Sequence, residues 1–133
     1  MHVAEASKSK HWDLWGALRG AGVPIISTWP DWQPNQDGSE PDADSWRAHS
    51  EACINDAASG DVLLLYAKDD ERQFGALLEA GAALGAGKQV YIVSPHPWPF
   101  LRNHPRCRSF DTLESAVVAI MAMADGKRLR RAA

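Results

Sequence analysis

The sequence predicts an α/β protein in which a parallel sheet carries helices on both faces. Two short apolar runs, residues 62–66 and 88–93, flank a helical segment at residues 73–86. Continuous apolar runs of this length are typical of strands that are buried on both faces of a parallel sheet. Strand and helix patterns also alternate along the rest of the chain, and alternation of this kind builds parallel sheets.

Four further elements complete the N-terminal part of the prediction. Residues 2–6 form a short strand, and the helix after it buries a stripe made of Trp15, Leu18 and either His11 or Leu14. Residues 23–28 form the second strand, and Pro24 indicates an edge position because proline has no N–H for the ladder. A helix from about Asp44 to Ser59 follows, with an inner stripe of Trp46, Ser50, Cys53, Ile54 and Ala57.

The C-terminal part adds a loop, a strand and a helix. Residues 95–105 hold four prolines and two histidines and form an irregular loop. Residues 108–110 are a short fifth strand, and Asp111 with Glu114 resembles a capping box for an amphipathic helix that runs to about Ala124. One domain therefore spans residues 1–126, and residues 127–133 form a basic C-terminal tail.

We expect the five strands to adopt a flavodoxin-like, or Rossmann-like, order. In such sheets ligands bind beyond the carboxyl ends of the strands. Two long loops leave from that edge: residues 95–105, and residues 29–44, which are typical of a functional lid or a mobile segment. The candidate substrate-binding residues at this edge are Ser7, Lys8, Trp29, Tyr66 and His96.

Most of these candidates also have a simpler structural interpretation. Ser7 and Lys8 could bind a phosphate through backbone N–H groups at the start of a helix, or Ser7 could cap that helix. Trp29 could stack on a planar base, or it could anchor its loop to the core. His96 could be an ordinary surface histidine. The residue types alone leave these alternatives open.

Glu79 is the strongest catalytic candidate, because it is the one charged residue in the helix at residues 73–86. We predict that the sheet-facing side of this helix is formed by Phe74, Leu77, Leu78, Gly81 and Leu84. Glu79 then projects from the other side among small apolar residues. An ordinary surface helix would carry several charges on that side, so we expect another subunit to cover it and to hold Glu79 in a cleft. A buried carboxylate is costly unless it is paired. The alternative is a carboxylate that only pairs in an interface.

Asp69 and Asp70 lie just before this helix. They could supply a second carboxylate for acid–base chemistry beside Glu79, or they could simply favour the dipole at the start of the helix. The sequence 81–87 (GAALGAG) is not a dinucleotide-binding loop, because it lies in the second half of a helix instead of opening one.

Composition and charge exclude several classes of function. The net charge is −3 and no long basic block is present, which argues against nucleic-acid binding. No apolar run has the length of a membrane span, and the N-terminus lacks the apolar core of a signal peptide. Cys53 and Cys107 show neither metal-site spacing nor a disulfide framework. We therefore expect a cytoplasmic protein with reduced thiols and without a metal or redox cofactor.

A longer motif runs through the central stretch. It consists of an Asp-led apolar strand (61–66), an acidic loop (69–71), the pattern G-x-x-x-E-x-G from Gly75 to Gly81, and Gly-Lys before another apolar strand. This pattern resembles the nucleoside 2-deoxyribosyltransferase family, which includes the deoxynucleoside 5′-monophosphate N-glycosidases. The resemblance covers about residues 53–94, and residues 6–8 match the end of the family's first strand more weakly.

The resemblance implies a specific chemistry. Glu79 maps onto the family's nucleophile, which attacks C1′ of the deoxyribose as the nucleobase leaves and forms a covalent sugar–enzyme ester. Gln73 stands where transferases of the family commonly have an aspartate that contacts the base. The family also tends to have an acidic residue near the end of the preceding helix that contacts the sugar, and Asp56 is the nearest match to it in this sequence. The family is oligomeric, so the resemblance implies a homo-oligomer, a dimer or larger.

We therefore predict an enzyme that cleaves or transfers at the N-glycosidic bond of 2′-deoxynucleosides or their monophosphates. Glu79 is the nucleophile and Asp69 or Asp70 assists. The predicted substrate-binding residues are Ser7, Lys8, Trp29, Tyr66, Gln73, Gly75 and His96. The alternatives are a deoxynucleoside 5′-monophosphate N-glycosidase, which is a hydrolase, a non-catalytic nucleotide-binding module, and an oligomeric protein in which Glu79 is only an interface group.

Overall fold

The structure, a computed structural model, describes residues 2–5, 12–27, 39–67 and 74–132. It confirms the α/β class, because a parallel sheet is combined with helices along the described chain. The strands are β1 (His2–Glu5), β2 (Val62–Tyr66), β3 (Gln89–Val93) and β4 (Cys107–Ser109). The helices are α1 (Trp12–Gly20), α2 (Ala43–Ser59), α3 (Phe74–Gly85), α4 (Pro99–Arg102) and α5 (Leu113–Ala132).

Within the described ranges, the sheet has four strands in the spatial order β1-β2-β3-β4, and each neighbouring pair is parallel. The register places Leu65 of β2 beside Ala4 of β1 and Ile92 of β3. Leu63, Leu64 and Leu65 are fully buried. This is the environment that the continuous apolar run of β2 predicts.

Helices pack on both faces of the sheet, as predicted. On one face, Leu64 packs in a core with Trp15 of α1 and Ile120 of α5. On the other face, Leu65 packs with Ala57 of α2 and with the alanines of α3. Successive residues of a strand point to opposite faces, so β2 contributes to both cores.

The prediction of five strands is wrong for the part of the chain that the structure describes. The second predicted strand does not pair with the sheet over residues 23–27, although Val23, Ile25 and Ser27 are buried and the residues between them are exposed. The Ile25 N–H donates to the Val23 carbonyl at 2.8 Å, which closes a local turn, and Pro24 has no N–H to offer a ladder. The segment therefore has the burial pattern of a strand without its hydrogen bonds.

α3 lies on the sheet through a different face from the predicted one. Ala76, Ala80 and Ala83 are buried against the sheet, whereas Leu78 is 70% exposed and Gly81 is exposed. Alanine side chains allow a helix backbone to approach a sheet closely, so the small residues form the contact. The prediction assigned this contact to the larger apolar side chains. Leu77 and Leu84 of that set do pack, partly buried, against the same core, so the buried face is rotated from the predicted one by about a third of a turn.

α2 also differs from the prediction in the face that it buries. It begins at Ala43, and the Asp42 side chain accepts a hydrogen bond from the Ser45 N–H at 2.8 Å. Ala57 is buried and Cys53 is half-buried, as predicted. Trp46, Ser50 and Ile54 of the predicted inner stripe are exposed, and the polar His49 and Asp56 are half-buried instead.

α5 is longer than predicted and continues to Ala132, through the residues that were predicted to form a tail. Lys127 Nζ lies 2.6 Å from Asp61 Oδ1, so this part of α5 is tied to the residue before β2. The helix is capped by Thr112, whose Oγ1 accepts from the Ser115 N–H at 3.1 Å, and not by Asp111. Among the helices in the described ranges, none combines the length and the hydropathy that a bilayer crossing needs.

Candidate functional site

The structure describes four of the ten predicted site residues. Tyr66 ends β2, Gly75 and Glu79 lie on α3, and His96 lies in the segment between β3 and α4. The other six lie outside the described residues; they are Ser7, Lys8, Trp29, Asp69, Asp70 and Gln73. Most of the predicted lid at residues 29–44 also lies outside them.

Glu79 is buried, with 8% of its surface exposed. It lies five residues into α3, about 8 Å from the start of the helix at the rise of 1.5 Å per residue. α3 starts near the carboxyl end of β2, so Glu79 lies below the sheet edge where ligands of α/β proteins bind. Gly75 lies one turn earlier and is exposed.

The groups that surround Glu79 come from α2 of the same chain. The charge of the Glu79 carboxylate acts on two side chains of α2: it contributes to the raised pKa of the Cys53 thiol and opposes the lowering of the pKa of His49. The expectation that another subunit buries Glu79 is therefore corrected, because α2 supplies the cover. The polar side chains of α2 lie beside Glu79, which explains how a buried carboxylate is tolerated.

Cys53 is held protonated by its surroundings. Burial raises the pKa of the Cys53 thiol to about 12, with further contributions from the charge of Glu79, the charge of Asp56 and the hydrogen bond to Glu79. A negative charge on sulfur would lie beside two carboxylates, which disfavours it. At neutral pH the sulfur therefore carries its proton.

His49 contacts Cys53 from the neighbouring turn of α2. The Cys53 Sγ lies 3.9 Å from Nδ1 and 3.7 Å from Nε2 of the imidazole, and the Trp46 ring meets the imidazole edge-on at 6.2 Å. Burial lowers the pKa of His49, and the charge of Glu79 opposes that shift. Together, His49, Cys53, Asp56 and Glu79 form a polar contact between two helices, which we call the α2–α3 seam.

A second feature is a cleft at the carboxyl ends of β2, β3 and β4, with a volume of about 530 Å³. We call it the β-edge cleft. Its lining residues are Tyr66, Ala67, Val93, Ser94, Pro95, Arg102, Ser109, Phe110 and Asp111. Tyr66 was predicted at this edge. The sequence analysis did not propose the hydroxyls of Ser94 and Ser109. Ser94 follows β3 and Ser109 ends β4, so the rule that ligands bind beyond the carboxyl ends of parallel strands could have identified both.

Arg102 fixes the shape of the β-edge cleft. Its Nη2 donates to the carbonyls of Ser94 and His96 at 2.6 and 2.7 Å, and Nε donates to the His96 carbonyl at 2.9 Å. Its Nη1 donates to Ser109 Oγ at 2.7 Å. One guanidinium thus joins the loop after β3 to the end of β4, which only a forked side chain can do.

His96 is held in place and is not part of the lining of the β-edge cleft. Its ring stacks on Trp98, with 4.8 Å between ring centroids and 20° between ring planes. The backbone N–H of His96 donates to Ser94 Oγ at 3.1 Å. Trp98 itself has a φ of 30°, in the left-handed region that a tryptophan adopts only under constraint. The described contacts of His96 are therefore those of a residue that fixes a loop.

In the described part of the chain, no group of three or more His, Cys, Asp or Glu side chains is arranged to hold a metal ion. No protein-family model matches the sequence, and no curated protein matches it either.

Proposed function

We propose that this protein cleaves or transfers at the N-glycosidic bond of 2′-deoxynucleosides, with Glu79 as the nucleophile. The observation that carries the proposal is the carboxylate of Glu79, which is buried in the middle of the otherwise uncharged helix α3. The motif around it, with its resemblance to the nucleoside 2-deoxyribosyltransferase family, supplies the reaction class.

The reaction has two steps. An oxygen of Glu79 forms a bond to C1′ while the bond from C1′ to the base nitrogen breaks, and the base leaves with the electron pair and takes a proton, which Asp69 or Asp70 would manage. In the second step a nitrogen of another base, or a water molecule, bonds to C1′, and the ester oxygen of Glu79 leaves. The carboxylate is then restored and the incoming nucleophile has lost its proton.

The environment of Glu79 supports a nucleophilic role. The charge of Glu79 acts on the Cys53 thiol, whose pKa is raised chiefly by burial, and on His49, whose pKa burial lowers. An electrostatic interaction is stronger in a site with little water than in bulk solvent, so a buried carboxylate stabilises the positive charge that develops at C1′ more effectively than an exposed one.

The β-edge cleft is the proposed place for the substrate. Glu79 is not among the residues that line this cleft, so the proposal requires the bound nucleoside to extend from the cleft to α3. Its volume of about 530 Å³ suits a nucleoside, since small-molecule pockets span roughly 300–1,000 Å³. Tyr66 and Phe110 offer aromatic surface for a base, while Ser94 and Ser109 offer hydroxyls to a sugar. Ser7, Lys8, Trp29, Gln73, Gly75 and His96 remain proposed substrate-binding residues.

Three further parts of the proposal concern the whole protein. A flavodoxin-like strand order, a cytoplasmic location, which suits two free cysteines, and a homo-oligomer remain proposals. The exposed side of α3 around Leu78 is the surface on which a neighbouring subunit would pack. No metal or redox cofactor is required by the two steps.

The test is base release from each deoxynucleoside and each deoxynucleoside monophosphate, with and without a second free base, followed by chromatography. Base exchange that Glu79→Ala abolishes would show a transferase, and release without exchange would show a hydrolase. Glu114→Ala removes an exposed carboxylate from α5 and should keep full activity.

Absence of turnover on every substrate, from folded protein, would overturn the proposal. Nucleoside binding that persists in Glu79→Gln would then favour the non-catalytic binding module, because such a module does not need a negative charge at C1′.

A further inference from the structure

Arg102 carries a positive charge that no carboxylate pairs with in the part of the chain that the structure describes. The side chain is half-buried and lines the β-edge cleft. Its hydrogen bonds go to neutral acceptors, which are two backbone carbonyls and the Ser109 hydroxyl. A half-buried charge is costly unless it is paired, and an anionic ligand in the cleft would provide the missing negative charge.

The hydroxyls of Ser94 and Ser109 each have a proton left to donate. Ser94 Oγ accepts the backbone N–H of His96 at 3.1 Å, and Ser109 Oγ accepts from Arg102 Nη1 at 2.7 Å. A hydroxyl can accept and donate at the same time, and neither serine donates to an acceptor within the described ranges. Both residues line the cleft, so two O–H groups are available there to a ligand.

These donors are held in place before any ligand binds. Ser109 lies beside Ile92 in the parallel register of β3 and β4, and Ser94 follows two residues after Ile92. Arg102 joins the two segments, because it donates both to the Ser94 carbonyl and to Ser109 Oγ. It uses four of its five N–H groups in this way, and one N–H of Nη1 remains. Donors that are already ordered lose little entropy when a ligand binds.

Two further features make the electrostatic potential of the cleft more positive. α5, a helix of 20 residues, begins at Leu113, so the positive end of its dipole lies two residues after Asp111 of the cleft lining. The Arg108 guanidinium lies 4.7 Å from the ring centroid of Phe110, which also lines the cleft. Asp111 is the one negative charge among the described lining residues. The protein as a whole carries a net charge of −3, so this positive potential is local.

We propose that the β-edge cleft binds a phosphate monoester, whose phosphate accepts hydrogen bonds from the Ser94 and Ser109 hydroxyls beside the charge of Arg102. A phosphate offers three strong acceptor oxygens, which suits the two O–H groups and the remaining N–H. The cleft volume of about 530 Å³ leaves room for a sugar attached to the phosphate.

This inference goes beyond the proposed function and does not depend on Glu79. Where both hold, the Ser94 and Ser109 hydroxyls bind the phosphate in place of the sugar hydroxyls. The substrate is then a deoxynucleoside monophosphate in preference to a deoxynucleoside.

The test is isothermal titration calorimetry of the full chain at constant ionic strength. The probes are 2-deoxyribose 5-phosphate, inorganic phosphate, 2-deoxyribose and acetate. We expect the two phosphates to bind, and 2-deoxyribose and acetate to bind at least about ten-fold more weakly. Ser94→Ala and Ser109→Ala should each weaken the binding of 2-deoxyribose 5-phosphate about ten-fold, the order expected for a hydrogen bond to a charged group. Ser50→Ala removes a hydroxyl from the exposed surface of α2 and should bind like the wild type.

Asp111→Asn tests the charge of the cleft in the opposite direction. It removes the lining carboxylate, so the affinity for 2-deoxyribose 5-phosphate should rise about three-fold, because a like charge no longer repels the phosphate. Glu51→Gln removes the same charge from an exposed position of α2 and controls for the change in net charge. A gain in affinity also cannot result from a loss of folded protein.

The proposal is overturned if 2-deoxyribose 5-phosphate binds no better than 2-deoxyribose, or if both serine variants bind it like the wild type. Acetate that binds as tightly as the phosphates would also overturn it and assign the cleft to carboxylates. Phosphate binding without turnover of any nucleoside or nucleotide overturns the proposed function and supports this inference. Base release from deoxynucleosides by a protein that does not bind phosphate has the opposite meaning for each.

Discussion

Glu79 lies where a carboxylate is costly, and the neighbouring side chains explain why it is tolerated. Burial penalises the charged form, and the charge of Glu79 acts on side chains of α2. It contributes to the raised pKa of Cys53, whereas it opposes the lowering of the pKa of His49 that burial causes. The α2–α3 seam therefore couples three titratable groups across one helix contact, with Asp56 as a fourth nearby charge.

The lowered pKa of His49 predicts a loss of stability in mild acid. The ordinary value is 6.5, and burial lowers it in the folded state. The unfolded chain then binds the proton more readily, so the free energy of unfolding falls as the pH drops below about 6.5. In His49→Gln this part of the fall should disappear. Urea denaturation at pH 8 and pH 5 measures the difference.

The control for this prediction is Ser50→Gln, which alters the next, exposed position of α2. It should lose as much stability between the two pH values as the wild type does. An equally steep loss in His49→Gln would show that other groups cause the acid sensitivity.

At the scale of elements, side-chain size determines which face α3 packs against the sheet more than hydropathy does. Its alanines are buried in the core and Leu78 is largely exposed, so the helix lies close to the sheet. Its C-terminus is held by Arg106, which donates to the carbonyls of Leu84 and Lys88. The turn after it includes Gly87 with a φ of 78°, a conformation that glycine adopts without strain.

Close packing of α3 predicts opposite effects for two substitutions on the same helix. Ala83→Leu adds volume at a fully buried position and should destabilise the protein by about 1–3 kcal/mol. Gly81→Ala adds a methyl group to open space in a helix interior and should stabilise it by about 0.5–1 kcal/mol. Chemical denaturation of both variants measures these changes. Two effects of the same sign would contradict the observed orientation of α3.

At the scale of the whole molecule, the central unit of β2, α3 and β3 is the part that the sequence predicts best. Buried parallel strands leave a continuous apolar run, and a lone charge in an apolar helix singles out Glu79. The α2–α3 seam was predicted only in part. Cys53 and Ala57 lie on the buried face as predicted, but the apolar Trp46 and Ile54 are exposed and the polar His49 and Asp56 are half-buried in their place. Pro24 explains why an alternating pattern did not become a strand.

The role of Arg102 could not be predicted either, because three of its four hydrogen bonds go to backbone carbonyls, and carbonyls are common to every residue.

The hydrogen bonds of Arg102 lead to a testable prediction for the molecule as a whole. Arg102→Lys keeps the charge but loses the forked geometry, so it should lower the free energy of unfolding by about 2 kcal/mol. Chemical denaturation measures this loss, and proposed substrate binding in the β-edge cleft should weaken with it.

Arg47→Lys is the matched control, since Arg47 pairs with Asp44 at 3.3 Å on the exposed surface of α2 and exposed pairs contribute little. An Arg102→Lys variant as stable as Arg47→Lys would show that the carbonyl contacts are replaceable.

The place of β1 in the sheet has a consequence for the order in which the chain folds. β2, β3 and β4 are neighbours in space and close in sequence, whereas β1 ends at Glu5 and pairs with β2, which begins at Val62. Closing a longer loop costs more conformational entropy, and contacts distant in sequence form slowly. The segment from β2 to β4 is thus the natural folding nucleus, and β1 docks onto an edge that already exists. Until it docks, the β2 edge stays open to strands of other molecules.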